Sequence, residues 1–172
     1  MRKSKRINKI QKDRILSPLH DPNLKLWVLL DQTRDVIAKA RELELDYYKL
    51  SRVQVAVLFI LLAENRGVTI GEICNWNVRE PNSVLSLVNR MEKIGLVKKI
   101  RDADDDKIRI VIAEKGKKSY TSASRVSIEM IFSVLSEEEK QQLNTSLRKL
   151  RSKARELLGI DFIPPFLRQK ST

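Results

Sequence analysis

Residues 69–115 read TIGEICNWNVREPNSVLSLVNRMEKIGLVKKIRDADDDKIRIVIAEK, and this stretch decides the fold. A Thr-x-x-Glu capping box at Thr69 predicts the start of a short helix that reaches about Trp76. A polar break follows, and Pro81 fits the first turn of a second helix, where proline is well tolerated. Gly95 is predicted to end this second helix, because glycine is common just beyond a helix C-terminus. The stretch therefore begins as a helix, a turn and a helix.

Two strands are predicted next, over residues 96–101 and 108–112, with an acidic loop between them. The second strand alternates isoleucine with other residues, which is typical of a half-buried strand. Two helices followed by a two-stranded wing form a winged helix-turn-helix, which lays one helix in a DNA major groove. The predicted fold class is mainly α with a small β-wing, and N- and C-terminal dimerisation helices flank the winged helix-turn-helix.

The second helix of this motif has two contrasting faces. Its apolar residues recur at helical spacing and are predicted to face inward: Val84, Leu87, Val88 and Met91. The outward face is then short, polar and almost uncharged: Asn82, Ser83, Leu85, Ser86, Asn89 and Arg90. Asn pairs with adenine edges, Arg with guanine or phosphate, and Leu meets a thymine methyl. An ordinary polar face is the alternative, but the position after a first helix favours base reading.

The predicted hairpin adds basic residues beside an acidic tip. Its cations are candidates for DNA contact: Lys99, Arg101, Lys107 and Arg109. The Asp-x-Asp-x-Asp spacing of the tip could indicate calcium, but Lys107 replaces the glycine and Ala113 the glutamate that a calcium loop needs. A tight turn explains the aspartates better. No metal site is predicted here.

The composition bounds the classes of function. Lys and Arg number 34 against 22 Asp and Glu, so the formal net charge is +12, which attracts phosphate whatever its sequence. A basic but unrelated protein is the alternative. No secretory signal and no membrane-spanning apolar run is recognised, and the single cysteine, Cys74, fits a reducing cytoplasm. His20 is the one histidine, and no catalytic or cofactor motif appears, so neither an enzyme nor a cofactor is predicted.

The flanking helices carry more apolar surface than one surface helix needs. A helix is predicted from Asp21 to about Asp46, and Trp27 and Val28 widen its apolar side. Another begins at the capping box of Ser136 and bears leucines at spacings of four and three, a seam that favours a dimer over packing on the chain's own core.

Three regions are therefore predicted. Residues 1–20 form a basic arm, which either touches phosphate or is a frayed terminus. Residues 21–48 and 117–172 form the dimerisation region, and residues 49–116 form the DNA-binding domain. Within them, a capping box at Ser51 starts a buried helix that is predicted to end with Gly67 in a left-handed cap, and one helix is predicted from Gly116 through Phe132.

These residues resemble the MarR family of bacterial transcriptional regulators over about residues 24–158. The strongest part is Ser83-Val84 through Leu87-Val88-Asn89-Arg90-Met91-Glu92-Lys93-Ile94-Gly95-Leu96-Val97, followed by the acidic loop and Glu114-Lys115-Gly116. The resemblance implies a homodimer that binds double-stranded DNA at a pseudo-palindromic operator and releases it when a small aromatic ligand binds. It implies that residues 81–94 are the recognition helix. It also implies that four residues contact DNA: Asn82, Ser83, Ser86 and Arg90.

The chain departs from the family pattern at the wing. Family wings commonly carry Asp and, two positions later, an Arg that enters the minor groove, whereas this pair is Asp105 and Lys107. Lys lacks the planar fork of Arg, so a weaker wing is expected, for which the basic arm could compensate. Cys74 is interpreted as a small buried residue and not as a redox sensor. A nonspecific nucleic-acid-binding protein is the alternative function.

The ligand pocket is predicted only by aromatic content. Its candidates are Trp27, Tyr47, Tyr48 and Phe59. Core or dimer contacts are the alternative, because apolar residues at helical spacing usually pack inside.

Overall fold

The computed structural model describes residues 20–64, 66–77, 80–103 and 105–162, which form seven helices and one two-stranded sheet. In chain order these are α1 Pro22–Tyr47, α2 Arg52–Glu64, α3 Ile70–Asn77, α4 Pro81–Lys93, β1 Val97–Arg101, β2 Ile108–Ile112, α5 Glu114–Ser122, α6 Val126–Phe132 and α7 Glu137–Leu158. The predicted class, mainly α with a small wing, is confirmed. The basic arm up to residue 19, Asp104 and the tail from residue 163 lie outside the described residues.

The described chain divides into two compact units. Residues 20–41 with Val126–Asp161 form the first, and Glu42–Arg125 with Phe162 form the second. The second unit contains α2 to α5 and both strands. The predicted division into a dimerisation region and a DNA-binding region concerns roles, and it stays a prediction.

The second unit is built on a core of aliphatic side chains. Most of the fully buried members come from α2, α3, α4 and the wing: Val57, Leu58, Ile60, Ile73, Val84, Val88, Met91, Val97 and Ile110. Leu45 and Val68 join them. The four residues of α4 that were predicted to face inward are all buried. Burial of such side chains stabilises by about 1.5–3 kcal/mol each, so this core fixes which face of α4 remains outside.

The helix starts follow their local signals. The Asp21 carboxylate accepts from the backbone N–H of Asn23 at 2.8 Å, and the Ser51 and Ser136 capping boxes are both formed. At α3, the Glu72 carboxylate accepts from the Thr69 N–H at 2.7 Å, and the Thr69 hydroxyl accepts from the Glu72 N–H at 3.2 Å. These predicted caps are therefore confirmed.

The two strands pair antiparallel, with Val97 opposite Ile112 and Arg101 opposite Ile108. Val68 extends the pairing, because its N–H donates to the Ile110 carbonyl at 3.0 Å and its carbonyl accepts at 2.7 Å in return. Val68, two residues before α3, is thus hydrogen-bonded to the wing.

Two expectations about local structure were wrong. Gly67 does not adopt a left-handed conformation; the described glycines with positive φ are Gly95 at 77° and Gly159 at 62°. A Cβ on Gly67 would lie 2.8 Å from the Cβ of Arg109. Glycine at this position therefore allows the backbone to lie close to β2. The single helix predicted through Phe132 is two helices, because Ala123 is buried and extended at φ −66° and ψ 118°.

Candidate nucleic-acid interface

Polar contacts hold the start of α3. Arg66 donates to the Glu72 carboxylate at 2.6 Å, which adds to the capping box with Thr69. Burial opposes ionisation of Glu72, but the hydrogen bonds from the Thr69 backbone and from Arg66 outweigh it, so the pKa of Glu72 is lowered. A charged Glu72 holds the first turn of α3 in place.

The exposed face of α4 is the one the sequence predicted. Its members are Asn82, Ser83, Leu85, Ser86, Asn89 and Arg90, all exposed. Pro81 occupies the first turn of the helix, and Gly95 turns the chain after its last turn. Because the opposite face is buried, rotation of α4 would expose core residues, so the orientation of the polar face is fixed.

A shallow concavity of about 470 Å³ lies along this face. Its walls are Val53, Asn82, Ser83, Ser86, Leu87 and Arg90. The structure therefore brings four of the predicted DNA-contact residues of α4 together around one groove, with Val53 of α2 as a wall that sequence reasoning did not nominate.

Lys99 of β1 is held against α4. Its Nζ lies 2.7 Å from the Asn89 Oδ1 and 2.7 Å from the Glu92 Oε2, and its backbone N–H donates to the Glu92 Oε1 at 3.3 Å. The hydrogen bond from Lys99 lowers the pKa of Glu92, so this carboxylate stays charged. Two predicted DNA-contact residues, Asn89 and Lys99, are thus joined to each other, and Glu92 compensates the charge of Lys99.

The other predicted wing cations donate to aspartates of the tip. Arg101 donates through Nη1 to both carboxylate oxygens of Asp106, at 2.7 and 2.8 Å. Lys107 lies 2.8 Å from Asp105. These pairings were missed from the sequence, although the near balance of charges in the hairpin was a signal for them.

Arg109 joins two aspartates of the same tip. Its Nη2 lies 2.9 Å from the Asp105 Oδ2, and its Nε donates to the Asp102 carboxylate. The side chain is 21% exposed, so Arg109 lies deeper than the other wing cations.

The predicted ligand-pocket aromatics are distributed over two places in the second unit and one in the first. Tyr47 and Tyr48 make an edge-to-face pair with centroids 5.1 Å apart. Phe59 packs edge-to-face on Trp76 at 6.1 Å, and Trp76 lies 6.2 Å from the ring of Phe162. Trp27 belongs to the first unit and is 61% exposed. Trp76 and Phe162 were not among the ligand-pocket residues predicted from the sequence.

Cys74 is buried, and burial raises the pKa of its thiol. A protonated thiol is a poor nucleophile, which agrees with the interpretation of a small buried residue. Across the described ranges, no group of three or more His, Cys, Asp or Glu side chains is arranged to hold a metal ion. No helix in that same part of the chain is both long and apolar enough to cross a bilayer.

Comparison with known proteins agrees with this geometry. Residues 50–116 match the family model of the winged helix DNA-binding domain. The organohalide-sensing RdhR transcriptional regulator, in its ligand-free form, is 28% identical with a TM-score of 0.70, covering 83% of this chain and 88% of that one. A MarR family protein from Bacillus stearothermophilus is 27% identical with a TM-score of 0.62, covering 76% and 93%. No curated protein sequence matches significantly.

A DNA complex is also among the similar structures. The S. aureus MepR–DNA complex has a TM-score of 0.69 at 22% identity, covers 78% of this chain and 99% of that one, and shows the shared fold. Together, the fold, the exposed helix face and the domain match define a winged helix DNA-binding protein. The similarity to transcriptional regulators such as RdhR and SlyA, and to a MarR family protein, agrees with the resemblance to the MarR family.

Proposed function

We propose that this protein is a homodimeric repressor that binds a pseudo-palindromic operator in double-stranded DNA. The observation that carries the proposal is the outer face of α4, where asparagine, serine and arginine side chains surround one groove. These side chains donate to and accept from base edges in a major groove. The two copies of α4 in a dimer would meet successive major grooves, about 34 Å apart.

The dimer is supported by apolar side chains that the first unit leaves exposed. On α7, Leu143, Leu147 and Leu150 are 37%, 39% and 51% exposed. On α1, Leu26, Trp27 and Leu29 are more exposed than these leucines of α7. Several large apolar side chains exposed on one helix favour an interaction site, and leucines at spacings of four and three suit a second helix. A second copy of the chain is the partner we propose.

Release by a small aromatic ligand is the regulatory part of the proposal. Similar structures include RdhR with 2,4-dichlorophenol and CouR from Rhodococcus jostii RHA1 with p-coumaroyl-CoA. In this chain, Tyr47, Tyr48 and Phe59 of the second unit, with Trp27 of the first, are the ligand candidates. Of these, Phe59 packs on Trp76, whose indole N–H donates to Glu64 at 3.1 Å.

Nonspecific nucleic-acid binding is the second candidate, favoured by the net charge of +12. It predicts equal affinity for all duplexes, because charge alone attracts any phosphate backbone. An enzymatic role is not proposed, since the similar structures are of transcriptional regulators. A cytoplasmic location is part of the proposal, because the proposed target is double-stranded DNA.

Substitutions on the α4 face separate the two candidates. Asn82→Ala and Ser86→Ala each remove a base-reading group, so operator affinity should fall about tenfold or more, given roughly 1–3 kcal/mol per base contact. Affinity for random duplex should change less than about twofold, because these side chains are uncharged. Fluorescence anisotropy with both duplexes measures this, and Ser152→Ala on α7 is the matched control. Equal losses on both duplexes would contradict the assignment.

A further inference from the structure

The wing is almost neutral in a strongly basic chain. Residues 97–112 contain five Lys or Arg and four Asp, which leaves a net charge of +1, whereas the whole chain carries +12. A wing that bound DNA mainly by charge would gain nothing from four aspartates at its tip.

The described aspartates of the tip form ion pairs with cations of the wing itself. Arg101 donates hydrogen bonds to both carboxylate oxygens of Asp106, and the Asp105 carboxylate accepts from both Lys107 and Arg109. Arg109 also donates to Asp102, and Lys99 is held by Glu92 of α4. All four cations predicted to touch DNA from the wing thus donate to carboxylates of the same unit.

Stability does not account for the Arg101–Asp106 pair. The Arg101 and Asp106 side chains are 67% and 78% exposed, and exposed ion pairs of this kind contribute about 0–1 kcal/mol. Their larger consequence is for phosphate. A phosphate group must displace a bonded carboxylate before it can pair with Arg101 or Lys107, and a neutralised cation releases no counterion from DNA.

We infer that Asp105 and Asp106 limit the sequence-independent attraction of the wing for DNA, so that affinity depends more on base reading by α4. This rests on the proposed DNA-binding function. The aspartates act through the cations that they hold and are not contact residues themselves. The partner concerned is any DNA phosphate backbone, whatever its sequence.

The test uses the full chain with Asp105→Asn and Asp106→Asn combined. Asparagine tolerates the left-handed φ of 56° at residue 106, and at residue 105 it keeps an oxygen for the Lys107 N–H. Asp46→Asn combined with Asp161→Asn is the control, because it removes two exposed carboxylates elsewhere and gives the same net charge. Thermal unfolding verifies that all three proteins are folded.

The measurement is the dissociation constant for random-sequence duplex against salt concentration. Each cation freed for a phosphate contact should steepen the log–log slope by about 0.9, so the wing variant should gain about one to two units of slope over the control. At low salt its affinity should be about tenfold tighter. A variant that matched the control would overturn the inference. A wild-type chain that bound no duplex, operator or random, would instead overturn the proposed function.

A substitution at Arg101 gives an independent readout. In the wild-type background, Arg101→Gln should alter the slope little, because Asp106 already neutralises the charge that it removes. In the Asp106→Asn background, the same substitution should lower the slope by about 0.9. Equal effects in both backgrounds would overturn the inference.

Discussion

At the scale of single residues, position in the fold decides what a charged side chain does. Lys99 was predicted to contact DNA, yet its ammonium group lies 2.7 Å from both Asn89 and Glu92. A lysine held in this way orients Asn89, whose amide oxygen it engages. We therefore expect Lys99 to act on base reading through Asn89 more than on phosphate directly.

A paired substitution tests this role of Lys99. Lys99→Gln with Glu92→Gln leaves the net charge unchanged and removes the contact that holds Asn89. The salt slope should stay the same, while base preference near Asn89 should broaden, losing about tenfold in discrimination at one position. Binding to a set of single-base operator variants measures both. A fall in slope of about 0.9 with unchanged preference would contradict it and make Lys99 a phosphate contact.

Alanine substitutions at two glycines should have opposite effects on the free energy of unfolding. A Cβ on Gly116 would lie 2.0 Å from the Leu96 carbonyl oxygen, so Gly116→Ala must shift backbone and should cost about 3 kcal/mol or more. Gly71 lies in α3, where the nearest atom to a Cβ is the Thr69 hydroxyl at 3.9 Å, so Gly71→Ala should stabilise by about 0.5 kcal/mol. Urea unfolding measures both. Similar effects from the two substitutions would contradict the packing described.

At the scale of elements, the sequence predicts what is local and misses what is tertiary. The capping boxes at Ser51, Thr69 and Ser136 were predictable because each lies within four residues of chain. The break between α5 and α6 was not predictable from the sequence. It occurs at Ala123, which is buried in a core made of residues distant in the chain. The wing ion pairs depend on the strand register, which brings residues on both sides of the loop together.

The start of α3 predicts a pH dependence. Glu72→Gln should lower the free energy of unfolding at pH 7 by about 1 kcal/mol, because a charged acceptor for Thr69 and Arg66 is lost. The folded pKa of Glu72 lies below its usual 4.5, so its contribution is complete above that value. It is lost as the pH falls through the folded pKa.

Urea unfolding of wild type and Glu72→Gln at a series of pH values measures this dependence. The difference between the two proteins should shrink toward low pH, and Asp46→Asn is the control for loss of one exposed carboxylate. A difference that stayed constant down to acid pH would contradict a charged role for Glu72.

At the scale of the whole molecule, operator binding as proposed requires a second copy of the chain. Leu150 is 51% exposed on α7 and belongs to the leucine seam. Leu150→Lys should leave the folded chain intact and weaken dimerisation by about tenfold or more, because a buried leucine contributes roughly 1.5–3 kcal/mol.

Sedimentation velocity over a range of concentrations measures this weakening. Ser152→Lys is the control, because it introduces the same charge at an exposed polar position of the same helix. Unchanged association of the Leu150 variant would remove α7 from the interface, and a monomeric wild type would remove the dimer itself.

In the proposed function, two copies of this chain read one pseudo-palindromic DNA sequence. Selection of bound molecules from random duplex by the wild-type protein at moderate salt tests it most directly. We expect enrichment of a pseudo-palindrome whose half-sites lie about one helical turn apart, roughly 10–10.5 base pairs centre to centre. Binding that was retained through the selection with no enriched sequence would contradict it, and the protein would then be a nonspecific DNA-binding protein.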